Sequence, residues 1–162
     1  MATVVTAILL TAVTTCTAQD VAAARLTGLN FPSTVDVTSG PAIVPVYYGA
    51  TDDLSGVHYF SIDFQGPGLG CGGANAHAEG YPGNGLSVSD SVVFQLEQDS
   101  TPPGIYPVCQ LSVCDAVWNC HAYTTSDLQG LGLPTEFTLT RTQDVVAPQL
   151  TALSFPNAAD VT

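Results

Sequence analysis

Lysine is absent from the 162 residues, and only Arg25 and Arg141 carry a permanent positive charge, against 14 acidic residues. A formal net charge of -12 argues against nucleic acid as a partner, because displacing counterions from phosphates needs clustered Lys and Arg. It argues equally against an anionic membrane surface. A Lys–Asn isopeptide crosslink is excluded outright. Long hydrophobic runs are missing too: the apolar run 4–13 is too short to cross a bilayer, so no membrane span is expected. No long stretch carries helical periodicity. No Cys-x-x-Cys pair suggests structural zinc, and no serine or cysteine sits in the glycine elbow of a hydrolase. The chain therefore reads as non-enzymatic. Charge of either sign is scarce, at 10%, but hydrophobic residues reach 46%, which is not the composition of a disordered chain.

What is present points to an oxidising, extracellular or cell-surface setting. Five cysteines, Cys16, Cys71, Cys109, Cys114 and Cys120, are many for a reducing compartment. Residues 1–18 have the apolar run and small-residue ending of a signal peptide but lack its basic start, so their reading as a cleaved leader stays open. Cys114 and Cys120 flank the tight turn 115–119 and are expected to pair across a hairpin. Cys71 could then meet Cys109, but four cysteines allow three connectivities and spacing does not choose among them.

The chain also repeats itself. Residues 19–38 match residues 143–162 at a constant offset of 124, with twelve of twenty positions identical. Residues 19–142 then form one module, and 143–162 a linker and the first strand of a second. Segments rich in Val, Tyr, Phe and Thr, separated by Gly, Pro, Asp and Ser, predict strands near 26–31, 35–38, 43–50, 57–64, 89–96, 106–114, 120–124 and 136–141. The expected fold is all-β, an immunoglobulin-like two-sheet sandwich. Alternation along 105–114 predicts Ile105, Pro107, Cys109, Leu111 and Val113 on the core side, with Cys109 buried. Ser126-Asp127-Leu128 predicts a single helical turn capped by Ser126 or Asp127.

Several phrases, Ala50 to Val57 (ATDDLSGV), Asp115 to Asn119 (DAVWN), Phe31-Pro32 with Val35 to Thr38, and the late Leu131-Gly132-Leu133-Pro134-Thr135, carry a family likeness. Together they resemble the tandem immunoglobulin-like repeats of large secreted and cell-surface bacterial proteins, over about residues 20–162. The resemblance implies a spacer or adhesive module rather than an enzyme. In such repeats the DAVWN turn has glycine where this chain has Trp118. Related arrays place acidic loops at module junctions, which makes Ca²⁺ the cofactor to consider, since it needs six to eight oxygen ligands. Its ligands here would come from Asp20, Asp52, Asp53, Asp115, Asn119 and Asp144, although all of these residue types also build turns unaided.

The glycine-rich loop 66–85 offers a second role, contact with a glycan or protein through His77, Tyr81 and Trp118. His77-Ala78-Glu79 with the later cysteines approaches a zinc-deaminase pattern, but Cys109 and Cys114 have the wrong spacing. The GxGxxG at 68–73 has no helix after it and reads as a loop. The expected partners are neighbouring repeats, other copies of the chain joined by exchange of the strand in 149–162, or a glycan or protein ligand.

Overall fold

The computed structural model describes residues 19–70, 76–142 and 146–154. They form a two-sheet, all-β sandwich with one short helix. Three antiparallel strands make one sheet, with β3 (Ala42–Thr51) between β1 (Arg25–Asn30) and β6 (Ser87–Leu96). Its longest seam is ten consecutive β3–β6 pairs, from Ala42 opposite Leu96 to Thr51 opposite Ser87. The other sheet runs β2 (Thr34–Asp36), β9 (Glu136–Thr140), β7 (Gly104–Asp115), β4 (Val57–Phe64), β5 (Ala76–Gly80). Strand β8 (Cys120–Tyr123) shares one edge of the long β7 with β9, pairing at 111–114 where β9 pairs at 104–107. The opening of the chain thus changes sheets: β1 pairs antiparallel with β3, and β2, past Phe31-Pro32, pairs parallel with β9.

Alternation drives the packing. Val44, Val46, Tyr48 and Ala50 of β3 point inward, as do Phe60, Ile62 and Phe64 of β4 and Phe137 and Leu139 of β9. Phe64 lies at the centre, with the rings of Phe31, Phe94 and Phe137 at 5.1, 5.3 and 5.0 Å. Such pairs add about 0.5–1.5 kcal/mol each beyond area burial.

Three expectations are corrected. On β7, Tyr106 and Val108 are buried while Ile105 is exposed and Pro107 and Cys109 only half-buried; Leu111 and Val113 do face the core. Gln110 pairs with Asp63 and Val108 with Phe64, so Cys109 is an extra residue, and this bulge inverts the inside–outside phase of everything before it. Second, β5 falls inside the stretch 66–85 expected to be a loop; Ala76 and Ala78 face the core while His77 and Glu79 face solvent. Alanine and glycine gave that segment little strand character. Third, the helix α1 (Thr125–Gly130) is capped by Thr124, not Ser126 or Asp127. Thr124 and Asp127 form a reciprocal capping box, and Leu128 is buried beneath it.

Cys114 and Cys120 are disulfide-bonded across the β7–β8 hairpin. Cys109 is also disulfide-bonded. Cys71, its expected partner, lies outside the described residues, as do Cys16, the leader 1–18 and Asp144. Residues 146–154 form no strand. By the offset, Leu150 and Leu153 correspond to Leu26 and Leu29; the latter are 7% exposed, whereas Leu150 and Leu153 are 78% and 67% exposed. Residues 146–154 belong to neither sheet, and the two leucines that are buried in β1 stand exposed in the repeated copy.

Candidate functional site

Of the candidate calcium ligands, the five among the described residues, Asp20, Asp52, Asp53, Asp115 and Asn119, lie at one end of the sandwich. The β3–β4 loop carries Asp52 and Asp53, the β7–β8 hairpin carries Asp115 and Asn119, and Asp20 lies on the segment entering β1. Carboxylate oxygens of Asp20, Asp52 and Asp53 lie within 4.8 Å of one another. Asp20 reaches across to the loop, one oxygen accepting from the Ser55 N–H at 2.9 Å and the other from Ala22 N–H at 3.2 Å. The Ser55 hydroxyl and N–H hold the Asp20 carboxyl below the ordinary carboxylate range. Asp52 folds its own loop: Oδ2 accepts from Leu54 N–H at 3.1 Å and from Gly56 N–H at 2.7 Å. Gly56 has φ +90°, and a Cβ there would meet the Asn84 carbonyl at 2.1 Å, so only glycine lets this loop close on the β5–β6 connection. Asp52 Oδ1 is buried with no hydrogen-bond partner among the described residues. A buried carboxylate oxygen without a donor is costly unless a cation faces it. Asp53 is exposed.

Asp115 and Asn119 play a different part. Asp115 is fully buried; its Oδ1 accepts from Val117 N–H and Asn119 N–H at 2.9 and 2.8 Å, and Oδ2 from the Asn119 amide at 2.7 Å. These bonds use its oxygens inside the hairpin, so Asp115 builds the turn. The Asn119 amide also donates to the Asp20 carbonyl at 3.3 Å, tying the entering segment to the hairpin. The carboxylates close enough together to share a Ca²⁺ are those of Asp20, Asp52 and Asp53, where Asp52 Oδ1 carries no hydrogen bond from the described residues, supplemented by main-chain oxygens or water. The cluster fits a hard cation in chemistry and charge.

Of the three residues that the sequence offers for ligand contact, His77 lies on β5, Tyr81 directly follows it and Trp118 lies in the β7–β8 hairpin. His77 Nδ1 lies 2.8 Å from Asp63 Oδ1, and Nε2 3.7 Å from Glu79 Oε2, which also accepts from the Tyr59 hydroxyl at 2.9 Å. Tyr81 and Trp118 are joined by two rings not expected from sequence, His58 and Tyr59. Adjacent residues of a strand normally face opposite sides. Here the register shifts between Val57 and Tyr59, so Val57 turns into the core and His58 and Tyr59 both face out. Trp118 has φ +66°, adopting the left-handed conformation that glycine takes readily.

No protein-family model and no curated protein matches this chain. No described helix is long and apolar enough to cross a membrane.

Proposed function

We propose that the chain is a non-enzymatic, immunoglobulin-like module of a secreted or cell-surface tandem-repeat protein, stiffened by calcium where one module joins the next. The observation that carries this reading is the repeat of residues 19–38 at 143–162, together with the exposure of Leu150 and Leu153. The repeated segment has the apolar pattern of β1, and its Leu150 and Leu153 are exposed where Leu26 and Leu29 of β1 are buried. The sheet change between β1 and β2 supports the immunoglobulin-like assignment. The disulfide-bonded cysteines support an oxidising location. Calcium is supported by the Asp20–Asp52–Asp53 cluster and the orphaned Asp52 Oδ1. Asp20 belongs to the segment that leads into the module, so a cation bridging it to the β3–β4 loop would restrict the hinge between neighbours.

Thermal unfolding with calcium and with chelator tests the reading. A ligand bound only by the folded state at a hundred times its Kd stabilises by about 2.7 kcal/mol, so calcium should raise Tm by several degrees. Asp53→Asn should abolish the rise while leaving Tm in chelator unchanged. An equal Tm in both media removes the cation from the proposal. A second reading, exchange of strand 149–162 into another copy, draws on the same exposed leucines. It requires concentration-dependent oligomers that vanish when 144–162 is deleted.

A further inference from the structure

The β7–β8 hairpin holds a residue that its fold does not need. The turn is made by Asp115, by Asn119 and by main-chain bonds, including Trp118 N–H to the Asp115 carbonyl at 3.2 Å. Glycine would meet the left-handed backbone at position 118 without strain. Tryptophan stands there instead, 57% exposed, and contributes nothing to the core. A strained residue that the fold does not use is where a ligand role is sought.

Around it the rings close a circuit. His58 to Trp118 is 5.3 Å between centroids, Trp118 to Tyr59 5.9 Å, Tyr59 to Tyr81 5.2 Å, and Tyr81 back to His58 5.7 Å. Tyr81 is 61% exposed. The two inner rings are held in place, His58 by Asn84 Oδ1 at 2.7 Å and Tyr59 by Glu79, so the platform is organised before anything binds. Next to the rings, the side chains of β4 and β5 that reach solvent are Asp63, His77 and Glu79, all polar.

We propose that this face binds a neutral oligosaccharide, with pyranose rings lying on Trp118 and Tyr81 and hydroxyls meeting Glu79, His77 and Asp63. Charge and polarity select that occupant. Asp63 and Glu79, in a chain of net charge -12 without lysine, repel an anionic saccharide. The core of a protein interface is depleted of carboxylates, whereas Asp63 and Glu79 stand in the row beside the rings. Sugars need what is present: exposed ring faces for their C–H surfaces, and adjacent acceptors and donors for their hydroxyls. The site lies on the sheet face, so it is open to a chain passing across the module.

Trp118 is the only tryptophan in the chain, so its emission reports on the site directly. The test is affinity electrophoresis of the full chain in gels containing xylan, mixed-linkage glucan, galactomannan or a soluble chitin derivative, with Trp118 emission followed in matching titrations. Alginate and poly-lysine serve as charged controls. Retardation by at least one neutral polysaccharide, with a shift in emission, is expected. Tyr81→Ala should weaken binding about tenfold, the loss of one stacking contact. Trp118→Gly should weaken retardation similarly while its Tm holds or rises, because it removes the ring and relieves the backbone together. The proposal is overturned if no neutral polysaccharide retards the chain, if binding survives both substitutions, or if emission responds to poly-lysine alone.

Discussion

Two tyrosines of the core should respond to the same substitution with opposite signs. Tyr123 on β8 takes the Leu26 N–H on its hydroxyl oxygen at 2.9 Å, both residues being buried. That amide sits where the β1–β3 register shifts, between Leu26 and Gly28, and the phenol supplies its acceptor. Tyr123→Phe keeps the ring but leaves a buried N–H unsatisfied, at a cost of about 1–3 kcal/mol. Tyr48 stacks on Phe60 at 3.8 Å, and its buried hydroxyl has no partner among the described residues. Burial, followed by the nearby Asp90, pushes its pKa up to about 12. Tyr48→Phe keeps the stack and removes a group whose desolvation nothing repays, so it should be neutral or stabilise by about 1 kcal/mol. In urea, Cm should fall for Tyr123→Phe and hold or rise for Tyr48→Phe, with m unchanged in both. Each kcal/mol corresponds to about 3–5 °C in Tm for a body of this size. Equal losses in the two variants, or a silent Tyr123→Phe, would refute the hydrogen-bond accounting.

Replacing Cys114 and Cys120 with serine opens a loop of sequence separation 6, which the chain-entropy model values at about 2 kcal/mol, readable as a lower Cm. Asp115→Ala leaves the Val117 and Asn119 amides without their acceptor inside a buried turn and should cost about 2–5 kcal/mol by denaturant titration. Acid should destabilise the fold in a defined window. Asp20 is held below its ordinary pKa by Ser55, Asp36 by the Thr38 hydroxyl and N–H, and Asp127 by the Thr124 N–H and hydroxyl. Between those lowered values and the unfolded value of about 4, the unfolded chain binds more protons, so stability is full above that range and is lost as pH falls through it. Urea midpoints should be flat above about pH 5 and decline below pH 4, and Asp127→Asn should flatten part of the decline.

Strands were legible wherever Val, Tyr, Phe and Thr alternate, as in β3, β4 and β9. What sequence could not show is where alternation breaks. The bulge at Cys109 reverses the phase of 105–108, and the bulge beside Val57 brings His58 and Tyr59 to one face. Neither leaves a signature in residue type, because the extra residue is set by pairing with a distant strand. The helical turn was read from Ser126-Asp127-Leu128, but the cap is Thr124, because its hydroxyl and the Asp127 carboxylate satisfy each other's backbone N–H across three residues. In the acidic cluster, turn composition pointed to Asp52, Asp53 and Asp115 alike. Burial then separates them, since Asp115 is spent inside its turn while Asp52 keeps one oxygen unpaired.

The hairpin at 115–119 joins the two surfaces. Its Asn119 holds the Asp20 carbonyl, and Asp20 in turn contributes to the acidic cluster; one residue earlier, Trp118 leans on His58 and Tyr59. The disulfide closes the base of the same hairpin. A cation that fixed Asp20 against the β3–β4 loop would therefore restrain the backbone that sets the tryptophan, and loosening the turn would disturb both. The direction of that coupling follows from the bonds: ordering at the tip lowers what the aromatic face must order on binding, so calcium and saccharide should bind cooperatively rather than compete.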